Sequence, residues 1–352
     1  MCLFIRVKTV GMKYFSILFL LMVCFCSCSS DKNITSDGNP GNNNKDTVQY
    51  YYNPIIDYDT PDPTVIKGGD GKFYLFATEN NNRTPVWIST DLVNWTNKAS
   101  GAFVSRPTFV PGGGVWAPDV EYINGQYVLY YAMSTWGGES TCGIGVSVSD
   151  NVGGPYKDLG KMFTSGEIGV QNSIDECFIQ DNGHNYMFWG SFHGIYGIEL
   201  TTDGLHIKDG SQKIQIAGTF MEGSYIYKRN GYYYLFGSNG SCCEGDNSTY
   251  QIVFGRSASL FGPYYTKEGG KLLDGNFDIL LHGNDRFVGT GHNAQFVTDD
   301  KGQDWIIYHA YRKGKSEIGR VAMLDPISWS NDWPMMENST PSSFHKVPYF
   351  KK

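Results

Sequence analysis

The sequence lacks the apolar stripe of a helical protein. Across its 352 residues, no stretch of helix length places apolar side chains at i, i+3, i+4 and i+7 without an interrupting glycine. Basic runs are missing as well. The net charge is −7 and the 28 Lys and Arg residues are dispersed, which excludes a nucleic-acid partner gripped through its phosphates. Neither a CxxC pair nor a Cys/His cluster occurs at zinc-site spacing. Long apolar runs are absent too; the one run of note, Tyr14 to Phe25, is too short to cross a bilayer.

That run reads as an export signal. Lys13 precedes it and Cys26-Ser27-Cys28 ends it, giving a charged region, a short apolar region and a small residue before a cysteine. The pattern points to a bacterial lipoprotein signal over residues 1–28 with Cys28 lipidated; an ordinary cleaved secretory signal is the alternative. Residues 29–50, rich in Ser, Asn, Asp and Gly, cannot bury a core and are expected to form a flexible tether. Residues 51–352 remain as a single domain. The expected product is an exported lipoprotein, periplasmic or at the cell surface, monomeric, and touching a membrane only through its lipid.

Eight cysteines are present, four of them at or before Cys28. Cys142, Cys177, Cys242 and Cys243 belong to the domain. A vicinal Cys242–Cys243 disulfide, free thiols, or pairing with Cys142 or Cys177 are all open to them.

What the chain has in quantity is glycine, 43 residues, and aromatics, 15%. Short β-rich runs alternate with Asn-Gly, Asp-Gly, Gly-Gly and Gly-Pro turns, as in hairpins. Five of these hairpins are copies of one another. They open at Asp62, Asp119, Asp175, Glu222 and His292, and each returns through an aromatic-rich strand. Repeats at blade length predict an all-β, five-bladed β-propeller. Asp62, Asp175 and Glu222 each stand 11 residues before the matching aromatic (Phe73, Tyr186, Tyr233), whereas Asp119 stands 8 before Tyr127.

Equivalent positions in a ring converge on its axis. A single acid at a strand start caps a turn or meets solvent. Three at matching phase would repel one another and raise one another's pKa, which proteins rarely tolerate without a use. The economical use is glycoside hydrolysis: one carboxylic acid protonates the leaving oxygen, a second activates water or attacks carbon, and a third tunes the acid.

Asp62-Pro63-Thr64, Trp116-Ala117-Pro118-Asp119-Val120, Ile174-Asp175 and Glu222-Gly223 resemble the signatures of glycoside hydrolase family 43, in the family's order, from about Asp57 to Tyr311. The resemblance implies a five-bladed propeller acting with inversion, with Asp62 as general base, Glu222 as general acid and Asp175 as the residue that tunes it. Gly240-Ser241-Cys242-Cys243-Glu244-Gly245, Ser248-Thr249-Tyr250, Val253 to Ser257 and Gly289-Thr290-Gly291-His292-Asn293 are similar to the arabinanase branch. This implies that His292 helps hold a metal, usually calcium; a hydrogen-bonded structural histidine is the alternative.

The chain departs from the pattern at Thr60-Pro61-Asp62, where a histidine often precedes the aspartate, and at Glu222-Gly223-Ser224 in place of Glu-Ala-Pro or Glu-Gly-Pro. Three further residues are candidate substrate contacts. Trp116 would stack on a furanose ring or pack between blades, Asp119 would bond a sugar hydroxyl or serve structure, and Phe192, with His193, would edge the cleft. The expected activity is inverting hydrolysis of α-1,5-linked arabinan, a plant cell-wall polysaccharide. The alternatives are an α-L-arabinofuranosidase or β-xylosidase on the same machinery, or a surface propeller that binds glycan without cleaving it.

Overall fold

The computed structural model describes residues 48–351, so the expected signal, Cys28 and most of the tether lie outside the described residues. Five antiparallel sheets follow in chain order. Blade one pairs Thr64–Lys67, Phe73–Phe76, Val86–Ser89 and Thr96–Asn97. Blade two pairs Gly114–Ile123, Gln126–Ser134, Gly143–Ser149 and Lys157–Thr164. Blade three runs from Cys177–Asp181 to Ile214–Ala217, and blade four from Glu222–Arg229 to Asp278–Leu281. Blade five pairs Phe287–Gly291, Asp304–Arg312, Val321–Ser330 and Trp333–Met335, with the short Val297–Thr298 added to its second strand.

The aromatic-rich strand of each copy is the second strand of its blade, and it is buried on both faces. Phe73 and Leu75 pack against Trp305 and Ile307 of blade five, while Tyr74 and Phe76 pack against Val115, Leu129 and Tyr131 of blade two. A strand with two dry faces must be apolar at every position, which is why these segments read as continuous runs. The same division recurs around the molecule. Each of five large buried clusters fills one seam between neighbouring blades, including the seam from blade five to blade one.

No strand is exchanged between blades among the described residues; the C-terminal stretch after Pro326 completes blade five and then leaves it. The ring is fastened instead beside the last seam. Tyr50–Tyr52 pairs with Phe344–Lys346, so the first strand begins at Tyr50, the last residue assigned to the tether. The Asn53 side chain exchanges hydrogen bonds with both backbone groups of Leu324, and Phe350 packs on Phe73 at 4.8 Å between ring centroids.

One backbone distortion recurs in the inner segment of every blade. By register, Thr64, Asp119, Cys177 and Tyr225 face Phe76, Tyr130, Phe188 and Phe236. Two residues upstream stand Asp62, Ala117, Asp175 and Gly223, all left-handed with φ of 53°, 42°, 60° and 59°. In blade five His292 does the same at φ 45°, two residues before Ala294, whose N–H bonds the Ile307 carbonyl. Left-handed backbone costs a residue with a side chain roughly 1–2 kcal/mol, and such strain gathers at functional sites.

The kink turns the backbone N–H sideways. Asp62, Ala117 and His292 donate to His309 Nδ1, Thr78 Oγ1 and Ser238 Oγ, each on or just past the second strand of the preceding blade. Gly223 donates to the Asp175 carboxylate instead. Glycine is needed there for a further reason: a Cβ would lie 3.1 Å from the His292 ring.

Candidate active site

A cavity of about 340 Å³ opens where these kinks converge, and Asp62, Asp175, Glu222, Trp116, Phe192 and His292 all line it. Of the residues expected from sequence, two are elsewhere: His193, whose ring bonds Glu139 at the cavity wall, and Asp119. Asp119 is buried, one oxygen accepting the Phe178 N–H at 2.7 Å and the other bonded by Gln295 and Thr64. By register it lies two residues past the kink, inside the channel. There it ties blades one, three and five together, buried away from the cavity a sugar would enter. Burial raises its pKa to about 6, and Glu121 beside it is raised well above the usual range by burial and by that charge.

Asp62 and Glu222 have opposite surroundings. Burial alone would raise the Asp62 pKa, but the Arg320 guanidinium at 2.8 Å holds it well below the usual carboxylate range. Thr78 donates to its second oxygen at 2.6 Å. The sequence has no histidine immediately before Asp62; two imidazoles reach it from blade five instead, at 3.5 Å and 3.3 Å. Burial lowers the pKa of both, that of His309 to about 4. His309 is therefore neutral, with Nδ1 accepting the Asp62 N–H.

Glu222 has no cation at hydrogen-bonding distance. Ser191 donates to one oxygen at 2.5 Å and Tyr250 to the other at 2.8 Å. Burial, joined by the Asp62 charge, outweighs those two bonds and raises its pKa. Asp175 is raised well above the usual range by burial, then by Glu222 and Asp62, with one oxygen accepting the Gly223 N–H. Two carboxyls that resist ionisation thus face one that is held ionised.

The two acids upstream of Asp62 are engaged elsewhere. Asp57 pairs with Arg312, and Asp59 accepts the Arg320 N–H and the Asn80 side chain. Arg320, His309, Thr78, Tyr250 and Ser191 carried no signal in the repeat. Arg320 announces itself only as a lone cation just before the apolar Val321–Leu324. Trp136 was also missed: it is 78% exposed at the cavity wall, with its ring 5.7 Å from Trp116.

Among the described residues no group of three or more His, Cys, Asp or Glu side chains gathers into a ligand set. However, buried atoms without a protein partner occur at one repeated position, the residue after the kink: both Glu176 oxygens, Ser224 Oγ and Asn293 Oδ1. His309 Nε2 is unpartnered as well. Calcium takes six to eight oxygens. The described side chains form no dry carboxylate cage of that kind.

The comparisons decide the family. The model of "Glycosyl hydrolases family 43" matches residues 51–334. The chain belongs to that family. Across 289 residues it is 35% identical to an extracellular endo-α-(1→5)-L-arabinanase of Bacillus subtilis, covering 78% of this chain and 86% of the relative. It is 31% identical to an extracellular exo-α-(1→5)-L-arabinofuranosidase of Cellvibrio japonicus, covering 81% and 88%. Among solved structures, a Cellvibrio cellulosa α-L-arabinanase complexed with arabinohexaose superposes with TM-score 0.72 at 30% identity, covering 80% of this chain and 96% of that one. A Bacillus licheniformis endo-arabinanase of the family gives TM-score 0.70 at 33%, covering 80% and 98%.

Proposed function

We propose that this family 43 hydrolase cleaves α-1,5-linked arabinan with inversion, Asp62 acting as general base, Glu222 as general acid and Asp175 as the group that tunes the acid. The observation that carries the reading is the split between Asp62 and Glu222 on one cavity. An inverting enzyme needs one carboxylate that is ionised and one that keeps its proton. Arg320 supplies the first condition, and a site without a bonded cation supplies the second. Asp62 would take a proton from the attacking water while Glu222 gives one to the leaving oxygen. Asp175, with one oxygen on the Gly223 N–H, is itself pushed up by the Glu222 charge, so the two neighbouring carboxyls resist ionising together. Trp116 and Phe192 offer ring faces to the sugar.

The similar relatives include an endo and an exo enzyme by name, so the mode of attack is part of the test. Incubation with linear arabinan, followed by NMR of the first product anomer and chromatography of product lengths, should give the inverted anomer and arabinose or short oligosaccharides. Release from arabinoxylan with none from linear arabinan would replace this reading by the arabinofuranosidase or xylosidase one. Turnover of neither, with glycan binding retained, would leave a binding propeller.

Two further expectations belong with this proposal. A calcium ion near His292 would supply positive charge in the channel; chelation should then lower the thermal midpoint, and an unchanged midpoint would count against the ion. Lipidation of Cys28 would hold the enzyme at a membrane facing its polymer substrate, and Cys28→Ser should move the full chain to the soluble fraction.

A further inference from the structure

Cys242 and Cys243 form a disulfide between adjacent residues, and both line the catalytic cavity. Cys142 and Cys177 are buried free thiols. The vicinal pair lies in the loop joining Tyr232–Asn239 to Gln251–Ser257 of blade four, with Cys242 half-buried and Cys243 exposed. Blade four also lines the cavity with Glu222 and Tyr250, which are bonded to each other. The disulfide is thus the apolar surface that this blade offers a ligand. Across the cavity, blade two offers Trp116 and Trp136, and Phe192 follows from blade three.

The loop is held in place independently of the sulfurs. Ser248 Oγ donates to the Ser241 carbonyl at 2.6 Å, and the Ser241 N–H donates to Thr249 Oγ1 at 3.1 Å. The Asp246 carboxylate accepts the Gly314 N–H at 3.0 Å on both oxygens. A ring closed through two neighbouring residues has little freedom of its own. Its sulfurs are polarizable and carry no hydrogen-bond donor, so they suit the C–H face of a furanose and leave the hydroxyl edge to other groups.

Resting on the arabinan reading above, we infer that the Cys242–Cys243 disulfide is a substrate contact, a rigid apolar platform that seats one arabinofuranosyl residue against the blade-four wall. It positions the chain; it does not take part in bond cleavage.

The experiment compares the parent with Cys242→Ala/Cys243→Ala on linear arabinan and arabinohexaose, with melting curves for both. Loss of a sugar-sized apolar contact should raise KM about tenfold, with kcat within about twofold. In a Glu222→Gln background, the same pair of changes should weaken arabinohexaose binding by the same factor. If the double variant does not fold, phosphine reduction of the folded parent opens the same bond and should produce the same KM rise. An unchanged KM, or a fall in kcat with KM intact, would overturn the inference, the latter marking the disulfide as a brace for Tyr250. Failure of the parent itself to hydrolyse arabinan would instead strike the underlying reading.

Discussion

Arg320 at Asp62, and burial without a bonded cation at Glu222, give two carboxylates of one small cavity different protonation. Asp62 must be ionised to act as base, so activity should fall as pH drops through its depressed pKa. Glu222 must be protonated, so activity should fall as pH rises through its elevated one. Removing the cation in Arg320→Gln leaves burial dominant at Asp62 and raises its pKa. The acidic limb of kcat/KM should therefore move to higher pH, and the alkaline limb, set by Glu222, should move up by less, because Arg320 acts more weakly on Glu222. A pH profile with both limbs unmoved would reject the assignment. Glu222→Gln should cost on the order of 10²–10⁴ in kcat with the melting curve kept. The three acids were legible because each opens a local repeat. Arg320 lies 258 residues from Asp62 in sequence, and no local pattern reports a partner that closure of the ring brings in.

The inner strand and its kink explain both the success and the error of the repeat count. Counting 11 residues from an aromatic equated Asp62, Asp175 and Glu222, yet by strand register Glu222 stands one residue before the kink and the two aspartates stand on it. The counts agree because offsets cancel: Thr64 and Phe76 are 12 residues apart where Cys177 and Phe188, and Tyr225 and Phe236, are 11 apart, and Tyr186 lies two residues before its aligned phenylalanine where Phe73 and Tyr233 lie three. Asp119, two residues past its kink, was placed at the mouth for the same reason. Hydrophobic pattern reports which strands exist; it does not report a bulge. Thr78 joins two kinks, donating to Asp62 and accepting the Ala117 N–H. Thr78→Val should cost about 1–3 kcal/mol, because it leaves that buried N–H unpaired, and it should also lower kcat/KM. Ala117→Gly should do the opposite to stability, adding about 0.5–1 kcal/mol by relieving a left-handed alanine; melting curves check both.

At the scale of the whole molecule, five blades and their order follow from the five aromatic runs, while the manner of closure does not. Nothing in the sequence announces that Tyr50–Tyr52 and Phe344–Lys346 pair beside the seam between blades five and one. Deleting residues 342–352 removes that pairing, the Asn53 contact with Ser342 and the Phe350 ring on Phe73. The truncated protein should lose about 2–5 kcal/mol, the cost of opening part of a core, and should unfold at lower denaturant with the blade-one side exposed first to proteolysis. The kinks have a wider consequence. The same left-handed turn accepts Asp, Ala, Asp, Gly and His around one mouth, so the frame constrains backbone and leaves residue identity free. Such a molecule is a fixed socket with interchangeable stations, in which a new reaction can be tried by exchanging one occupant while the seams that hold the ring are untouched.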